Sequence, residues 1–182
     1  MIITNKNIYL SFMQKFKMFN FGEGILKMRD LVEININEGG RPVKRLAPTV
    51  KDIIDFEQQA GVKLPVEYVE LLSHSNGGHP QLDSFVPSSS EGSRWCIDLF
   101  YHIGSDIRST DNLTKVFNDW KKYLWNGVVP IARDPGGNQI CLDTSKDGNV
   151  FICVHDEGFR IIEVAPSLSD FLDLLEVDPE MI

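Results

Sequence analysis

Residues 129–158 read VPIARDPGGNQICLDTSKDGNVFICVHDEG, and their pattern sets the architecture of the chain. Short apolar runs, rich in the β-branched residues that favour strands, alternate with turns built on Gly, Asn and Asp. The links between the runs hold only a few residues, whereas a parallel crossover needs a dozen or more. Consecutive antiparallel strands are therefore predicted near residues 128–132, 139–143, 150–155 and 159–164.

Helical patterns precede these strands. Thr49 with Asp52 three residues later is typical of a capping box, and Gly61 supplies the left-handed stop of that helix. Pro65 begins a second helix, because its missing N–H has no helical partner to lose in the first turn. The second helix ends at residues 76–78, Asn-Gly-Gly, where a chain reversal needs residues that tolerate positive φ.

Two further helices complete the pattern. Residues 111–124 carry apolar side chains at i, i+3, i+4, i+7 and i+11, which predicts an amphipathic helix. Ser167 caps a last helix, with Asp170 at the box position. Helices on both sides of an antiparallel run predict an α+β fold, namely a mainly antiparallel sheet with helices packed on it.

The remaining segments are less regular. Residues 1–47 are predicted to be an N-terminal extension, either a helix or a mobile arm, and Met28 is an alternative start within it. The partial alternation of residues 31–36 predicts a short strand. The Ser-rich residues 81–94 predict an exposed, mobile loop, and residues 95–103 are prone to form a strand.

Length and cysteine content limit the class of protein. The chain has 182 residues, which suits one domain, and no apolar run of 18 or more residues that could span a membrane. Its first twenty residues lack the apolar core and cleavage site of a signal peptide. The three cysteines, Cys96, Cys141 and Cys153, sit in apolar company and are too few for a disulfide framework. They predict reduced core thiols and a cytoplasmic protein.

The net charge of −8 is unevenly distributed. Residues 1–48 contain eight Lys/Arg and four Asp/Glu, whereas residues 49–182 contain ten Lys/Arg and 22 Asp/Glu and so carry −12. Nucleic-acid binding needs clustered Lys and Arg, so this balance argues against a nucleic-acid partner. It fits a basic protein partner, because opposite charges speed the encounter of two proteins, and it equally fits a surface that only confers solubility.

Candidate chemical motifs are weak. The turn at residues 134–138 lacks the phosphate-loop patterns and precedes a strand, which favours a simple hairpin turn. Cys141, Cys153 and His155 could approach one another across a hairpin, but no CxxC or HxxxH spacing supports a zinc site. Ser73-His74 has no G-x-S-x-G elbow and fits helix capping better than nucleophilic catalysis. We therefore predict no enzyme activity and no catalytic, cofactor-binding or metal-binding residue.

The order and spacing of several short motifs resemble those of the SUKH superfamily over about residues 48–176. The motifs are Leu64-Pro65 with Tyr68, Asn76-Gly77-Gly78, Pro130-Ile131-Ala132, Asp134, Gly137-Asn138, Cys141-Leu142-Asp143, Gly148, Val150 and a terminal helix with Phe171 and Leu172. The superfamily contains fungal cell-wall synthesis regulators and bacterial immunity proteins. The resemblance implies a SUKH-like domain over residues 48–182 whose motif residues serve the fold and not catalysis.

The resemblance also implies a protein that works by binding. In the bacterial branch, such an immunity protein binds a cognate polymorphic or contact-dependent toxin and neutralises it without catalysis. In the fungal branch, the alternative is a regulatory scaffold that binds a partner of its own cell. An acidic inhibitor suits a basic nuclease toxin, because it can mimic the charge of phosphate. Neither a cofactor nor a membrane partner is expected.

Acidic residues near the Ser-rich segment and the central strand are the candidate contacts with such a toxin. They are Asp83, Glu91, Asp98, Asp106 and Asp111. The aromatic residues are mostly core by their spacing. Tyr101 and Trp125 lie nearest the ends of predicted elements, and an exposed aromatic residue is a candidate binding anchor.

Overall fold

Five helices and seven strands form the part of the chain that the computed structural model describes, residues 29–89, 92–145 and 148–178. The helices are α1 (Leu31–Ile34), α2 (Val50–Ala60), α3 (Val66–His74), α4 (Leu113–Trp120) and α5 (Leu168–Leu174). The strands are β1 (Ser84–Phe85), β2 (Trp95–Cys96), β3 (Leu99–Phe100), β4 (Val128–Arg133), β5 (Gln139–Asp143), β6 (Asn149–Val154) and β7 (Arg160–Ala165). The α+β fold class predicted from the sequence is confirmed.

Five strands form one antiparallel sheet in the order β3-β4-β5-β6-β7, so that strands adjacent in the chain pair with each other. Cys141 of β5 lies opposite Phe151 of β6, and Phe151 lies opposite Glu163 of β7. β1 and β2 form a separate two-stranded ribbon. The four predicted strands coincide with β4 to β7 to within one residue at each end, because the short turns between them leave no other pairing.

One carboxylate holds the turn between β4 and β5. Asp134 accepts hydrogen bonds from the Asn138 backbone N–H and side-chain amide, both at 2.7 Å. Gly137 has a φ of 89°, which glycine adopts without strain. The Asn138 side-chain oxygen accepts from the His155 backbone N–H at 3.1 Å and so ties this turn to the one between β6 and β7. The motif is a hairpin turn, as predicted.

The predicted capping residues begin and end the long helices. Thr49 and Asp52 form a complete capping box at the start of α2, and Gly61 ends it in the left-handed conformation. Pro65 is the N-cap of α3. Ser167 caps α5 by accepting a hydrogen bond from the backbone N–H three residues later. These ends are encoded locally, which is why the sequence pattern finds them.

The helices and the inner face of the sheet enclose the main core. α5 packs on β6 and β7, α4 packs on β4, and the remaining long helices pack on these two. Phe56 of α2 meets Phe117 of α4 edge to face at 5.7 Å, and Phe85 meets Phe171 of α5 in the same way at 5.2 Å. Fully burying one such side chain stabilises the fold by about 1.5–3 kcal/mol.

One predicted element is wrong, and another is shorter than predicted. Residues 31–36 were expected to form a strand but begin with helix α1, because the Asp30 side chain caps the Val32 N–H and Asn35 ends the helix at a φ of 46°. α4 occupies only part of the predicted 111–124 range, because the Asn112 side chain caps it at residue 113 and the helical pattern ends at Trp120.

The Ser-rich segment is partly built into the fold, contrary to the expected exposed loop. Ser84 and Phe85 form β1 and are fully buried. The Ser88 backbone N–H and hydroxyl both donate to the Val164 carbonyl, at 3.3 and 3.0 Å, and the Ser89 hydroxyl donates to the Glu163 carbonyl. The described part of this segment therefore covers the outer edge of β7.

Residues 29–47 are the described part of the predicted N-terminal extension. The Arg29 guanidinium donates to the Leu172 carbonyl at 3.2 Å, and the Asn37 N–H donates to the His79 carbonyl at 2.7 Å. Residues 1–28, including Met28, lie outside the described residues, so the choice between helix and arm stays a prediction. None of the helices in the described ranges has the length and apolarity needed to cross a bilayer.

Candidate partner-binding face

Strand alternation gives the five-stranded sheet two different faces. The inner face carries Ile140 and Ile152, which are buried in the main core. The outer face carries the cross-strand partners Cys141 and Phe151 and, on β7, Glu163. A second, smaller cluster of buried apolar side chains covers the middle of this outer face.

The segment that follows α4, residues 121–127, lies on the outer face. Trp125 stacks on Phe151 with ring centroids 4.9 Å apart and ring planes 16° apart. Its indole N–H donates to the Asp143 carboxylate at 3.0 Å, which fixes the orientation of the ring. Leu124 packs into the smaller buried cluster. One side of the Trp125 ring is therefore buried against the sheet.

A second group of rings lies at the turn between β6 and β7. Tyr123 stacks on Phe159 with centroids 4.2 Å apart, and Trp120 meets both rings edge to face at 6.1 Å. The Lys122 ammonium lies 4.6 Å from the centroid of the Tyr123 ring, within cation–π distance. We call these rings together the aromatic face: Trp120, Tyr123, Trp125, Phe151 and Phe159.

Two rings of the aromatic face are open to solvent. Tyr123 and Trp125 are 45% and 44% exposed, and the neighbouring Ile161 of β7 is 40% exposed. A hollow of about 240 Å³ lies between Trp125 and β7, and a shallower hollow of about 560 Å³ lies beside Tyr123. Exposed aromatic residues next to hollows are the usual anchors of protein–protein contacts.

The two candidate aromatic anchors, Tyr101 and Trp125, differ in their exposure to solvent. Trp125 is exposed and keeps its candidacy as an anchor, whereas Tyr101 is buried and its hydroxyl donates to the Gln139 side chain at 2.6 Å. Burial raises the pKa of the Tyr101 hydroxyl. Although β3 ends at Phe100, the Tyr101 N–H still donates to the Ile131 carbonyl at 3.0 Å, which keeps the residue inside the sheet.

One arginine brings together two of the five predicted acidic contacts. Arg133 of β4 donates to the carboxylate of Asp98 at 3.0 Å and to that of Asp111 at 3.4 Å. His79 Nδ1 lies 3.5 Å from the Asp98 carboxylate. Both carboxylates therefore have partners within the fold, and the cluster joins the segment before β3 to the segment before α4.

The other predicted acidic contacts lie apart from this cluster. Asp83 is half-buried before β1; burial raises the pKa of its carboxyl, and the charge of Asp178 raises it further. Asp106 is exposed in the loop before α4. Glu91 lies outside the described residues. A role of the five acidic residues in partner binding stays a prediction.

The thiols and histidines do not assemble into a metal site in the described ranges, where no group of three or more His, Cys, Asp or Glu side chains could hold an ion. Cys141 and Cys153 are buried free thiols whose pKa values are raised by burial. His155 Nδ1 lies 2.9 Å from the side-chain oxygen of Asn138 instead. The two thiols act as small apolar side chains of the outer face.

Two buried polar atoms of the described residues have no hydrogen-bond partner, the Tyr68 hydroxyl and His102 Nε2. Burial raises the pKa of Tyr68 and lowers the pKa of His102, so both side chains are held in their neutral forms.

Ser73, which the sequence analysis considered as a nucleophile, donates to the Val69 carbonyl within α3 at 2.7 Å. That bond fits the structural interpretation of the Ser-His pair.

The aromatic face is not evident from the sequence. Apolar spacing placed Trp120 and Leu124 on one buried helical stripe, but the helix ends at Trp120 and the chain then turns onto the outer face. Asn126-Gly127, a typical turn dipeptide directly after Trp125, is the signal that could have shown the early end of the helix.

Comparisons with known proteins bear on the same residues. The model of the SMI1 / KNR4 family (SUKH-1) matches residues 47–174 of the chain. The matched range runs from just before α2 to the end of α5, so it contains the whole five-stranded sheet and the aromatic face. Comparison with curated proteins gave no match.

Proposed function

The chain belongs to the SMI1 / KNR4 family (SUKH-1), and from this membership we propose that it is an immunity protein that binds a cognate bacterial toxin in the cytoplasm and neutralises it. SUKH domains act in general as non-enzymatic immunity proteins. The mechanism is steric and electrostatic: the bound protein covers the surface of the toxin that would otherwise meet its substrate.

The aromatic face is the structural observation that carries this proposal. Stacking on Phe151 and a hydrogen bond to Asp143 hold Trp125 in place, and stacking on Phe159 holds Tyr123. Rings that are already fixed lose little conformational entropy when a partner binds. Large, half-exposed rings on a rigid sheet thus give a pre-organised surface for a protein partner.

Charge supports a basic partner, such as a nuclease toxin. Residues 49–182 carry −12, and exposed carboxylates such as Asp106 contribute to this negative field. A negative field speeds encounter with a basic protein and competes with phosphate for the same basic groups. The predicted contacts Asp83, Glu91, Asp98, Asp106 and Asp111 belong to this part of the proposal.

Co-expression tests the proposal. A candidate toxin, chosen from the genes that neighbour this one, is induced in a bacterial host that also expresses this chain or, as a control, an unrelated acidic protein of similar size. We expect growth to recover only with this chain, and the purified toxin domain to co-elute with it. The association rate should fall between 0.1 and 1 M salt, as the screening length shortens from about 10 to about 3 Å.

Two outcomes count against the proposal in different ways. Continued toxicity together with the absence of a complex would show that the chain is not the immunity protein of that toxin. Capture of a protein of its own cell, without any relief of toxicity, would favour the regulatory scaffold.

A further inference from the structure

We infer that the hollow between Trp125 and Glu163 receives an arginine side chain of the protein partner. The inference rests on the proposed function and adds the place and the chemistry of one contact. A guanidinium is planar and positively charged, so it can stack on an indole ring while its N–H groups bind a carboxylate at the edge of that ring.

The Trp125 ring offers the stacking surface. One side of the ring lies on Phe151, while 44% of the residue remains exposed. The bond from the indole N–H to Asp143 opposes any rotation of the ring away from this position. The free side of the ring is therefore presented in one orientation before a partner arrives.

Glu163 offers the carboxylate. It lies opposite Phe151 across the β6–β7 pair, so it stands beside the rings on the same outer face, and it lines the same hollow of about 240 Å³ as Trp125. No cation of the described residues pairs with its carboxylate. The buried Asp143 also lines the hollow, where its carboxylate accepts from the Trp125 indole N–H.

The other end of the aromatic face shows the same chemistry within the chain. There the Lys122 ammonium lies over the Tyr123 ring at 4.6 Å. Trp125 has no such cation among the described residues, although tryptophan is the strongest aromatic partner for a cation. A partner can supply the missing positive group.

Arginine fits this hollow better than the alternatives. An apolar side chain would remove water from the Glu163 carboxylate without replacing the lost hydrogen bonds. A lysine would supply a point charge but no planar group to lie on the ring of Trp125. Arginine satisfies the ring and the carboxylate together.

The first test needs no toxin. The ¹⁵N-labelled chain is titrated with N-acetyl-arginine amide while NMR follows the indole N–H signals of its three tryptophans; Trp125→Phe assigns the signal of interest. We expect a saturable shift of the Trp125 signal. N-acetyl-citrulline amide has almost the same shape without the charge and should cause no such shift.

Glu163→Gln should weaken this binding about tenfold, which corresponds to about 1.4 kcal/mol. Asp173→Asn is the matched control, because it removes the same charge from an exposed position on α5 and should leave the affinity unchanged. A Trp125 signal that stays still with the arginine probe, or that moves equally with citrulline, would overturn the inference.

The second test uses the purified toxin domain and measures Kd and rescue of growth. Glu163→Gln and Trp125→Ala should each weaken binding tenfold or more, whereas Asp173→Asn and Leu174→Ala, an exposed apolar position on α5, should not. Rescue by the parent chain with unchanged binding by both site variants would overturn the inference and leave the proposed function standing. If the parent chain does not restore growth, the result counts against the proposed function. The titration with N-acetyl-arginine amide still tests whether the hollow binds arginine.

Discussion

Gly77 lies where the end of α3 meets the end of β3. A Cβ added to this residue would lie 2.8 Å from the His102 backbone nitrogen and 2.9 Å from the Phe100 carbonyl oxygen, and φ is 78°. Gly77→Ala therefore strains the backbone and forces a neighbouring strand to move. We expect a loss of about 3 kcal/mol in the free energy of unfolding, measured by urea denaturation.

Gly61→Ala is the matched control for this substitution. Gly61 has a similar φ of 69°, but no atom lies within 4 Å of an added Cβ. Only the backbone strain should remain, at a cost of about 1 kcal/mol. Equal losses at Gly61 and Gly77 would contradict the role assigned to the close approach of β3.

The two partners of the ion pair between Glu57 and Lys63 differ in their exposure to solvent. The Glu57 side chain is nearly buried and also accepts from the Leu64 backbone N–H at 3.0 Å, while the Lys63 side chain is 85% exposed. Glu57→Ala leaves that N–H buried without an acceptor and should cost about 1–3 kcal/mol. Lys63→Ala removes a solvent-screened charge and should cost less than about 1 kcal/mol. Thermal unfolding of the two variants checks this, and similar losses would refute it.

At the scale of elements, the start of α2 depends on two reciprocal hydrogen bonds. The Thr49 hydroxyl accepts from the Asp52 N–H at 3.2 Å, and the Asp52 carboxylate accepts from the Thr49 N–H at 2.7 Å. Thr49→Ala should destabilise the protein by about 1 kcal/mol, whereas Thr49→Ser keeps the hydroxyl and should change stability little. Circular dichroism during urea unfolding measures both, and a full loss in the serine variant would argue against the capping role.

Elements that local chemistry decides could be predicted from the sequence. The strands β4 to β7 follow from short turns, and the ends of α2 follow from Thr49 and Gly61. The helix α1 is also bounded by local caps, Asp30 and Asn35, but the partial apolar alternation of residues 31–36 is typical of a strand and therefore indicates the wrong element.

The candidate site could not be predicted, because contacts between distant residues create it. Trp125 is placed by Asp143 and Phe151, which lie 18 and 26 positions further along the chain. Arg133 likewise meets Asp98 across 35 positions. Such pairings depend on the register of the sheet and on the path of the chain after α4, and neither leaves a periodic pattern in the sequence.

At the scale of the whole molecule, the rates at which the three thiols react with a labelling reagent show the order in which parts of the fold unfold. Cys96 is partly exposed on the two-stranded ribbon, whereas Cys141 and Cys153 are buried in the central sheet. Burial raises the pKa of all three thiols, and the thiolate is the reactive form. We expect iodoacetamide to label Cys96 first, and the other two only when the whole sheet unfolds.

Mass spectrometry of the labelled peptides at increasing urea concentration measures this order. The Cys96→Ser variant should lose the fast phase and keep the slow one. Labelling of Cys141 in the native protein at the rate of Cys96 would show that the sheet opens locally.

β7 is an edge strand of the five-stranded sheet, and the side chains of Ser88 and Ser89 donate to its Val164 and Glu163 carbonyls. A bare strand edge is a template onto which a second molecule can add a strand, and this is a common first step of aggregation. With two acceptors already taken, a copy of the chain finds a weaker template there. The serines therefore help the protein to stay dispersed when it accumulates to high concentration.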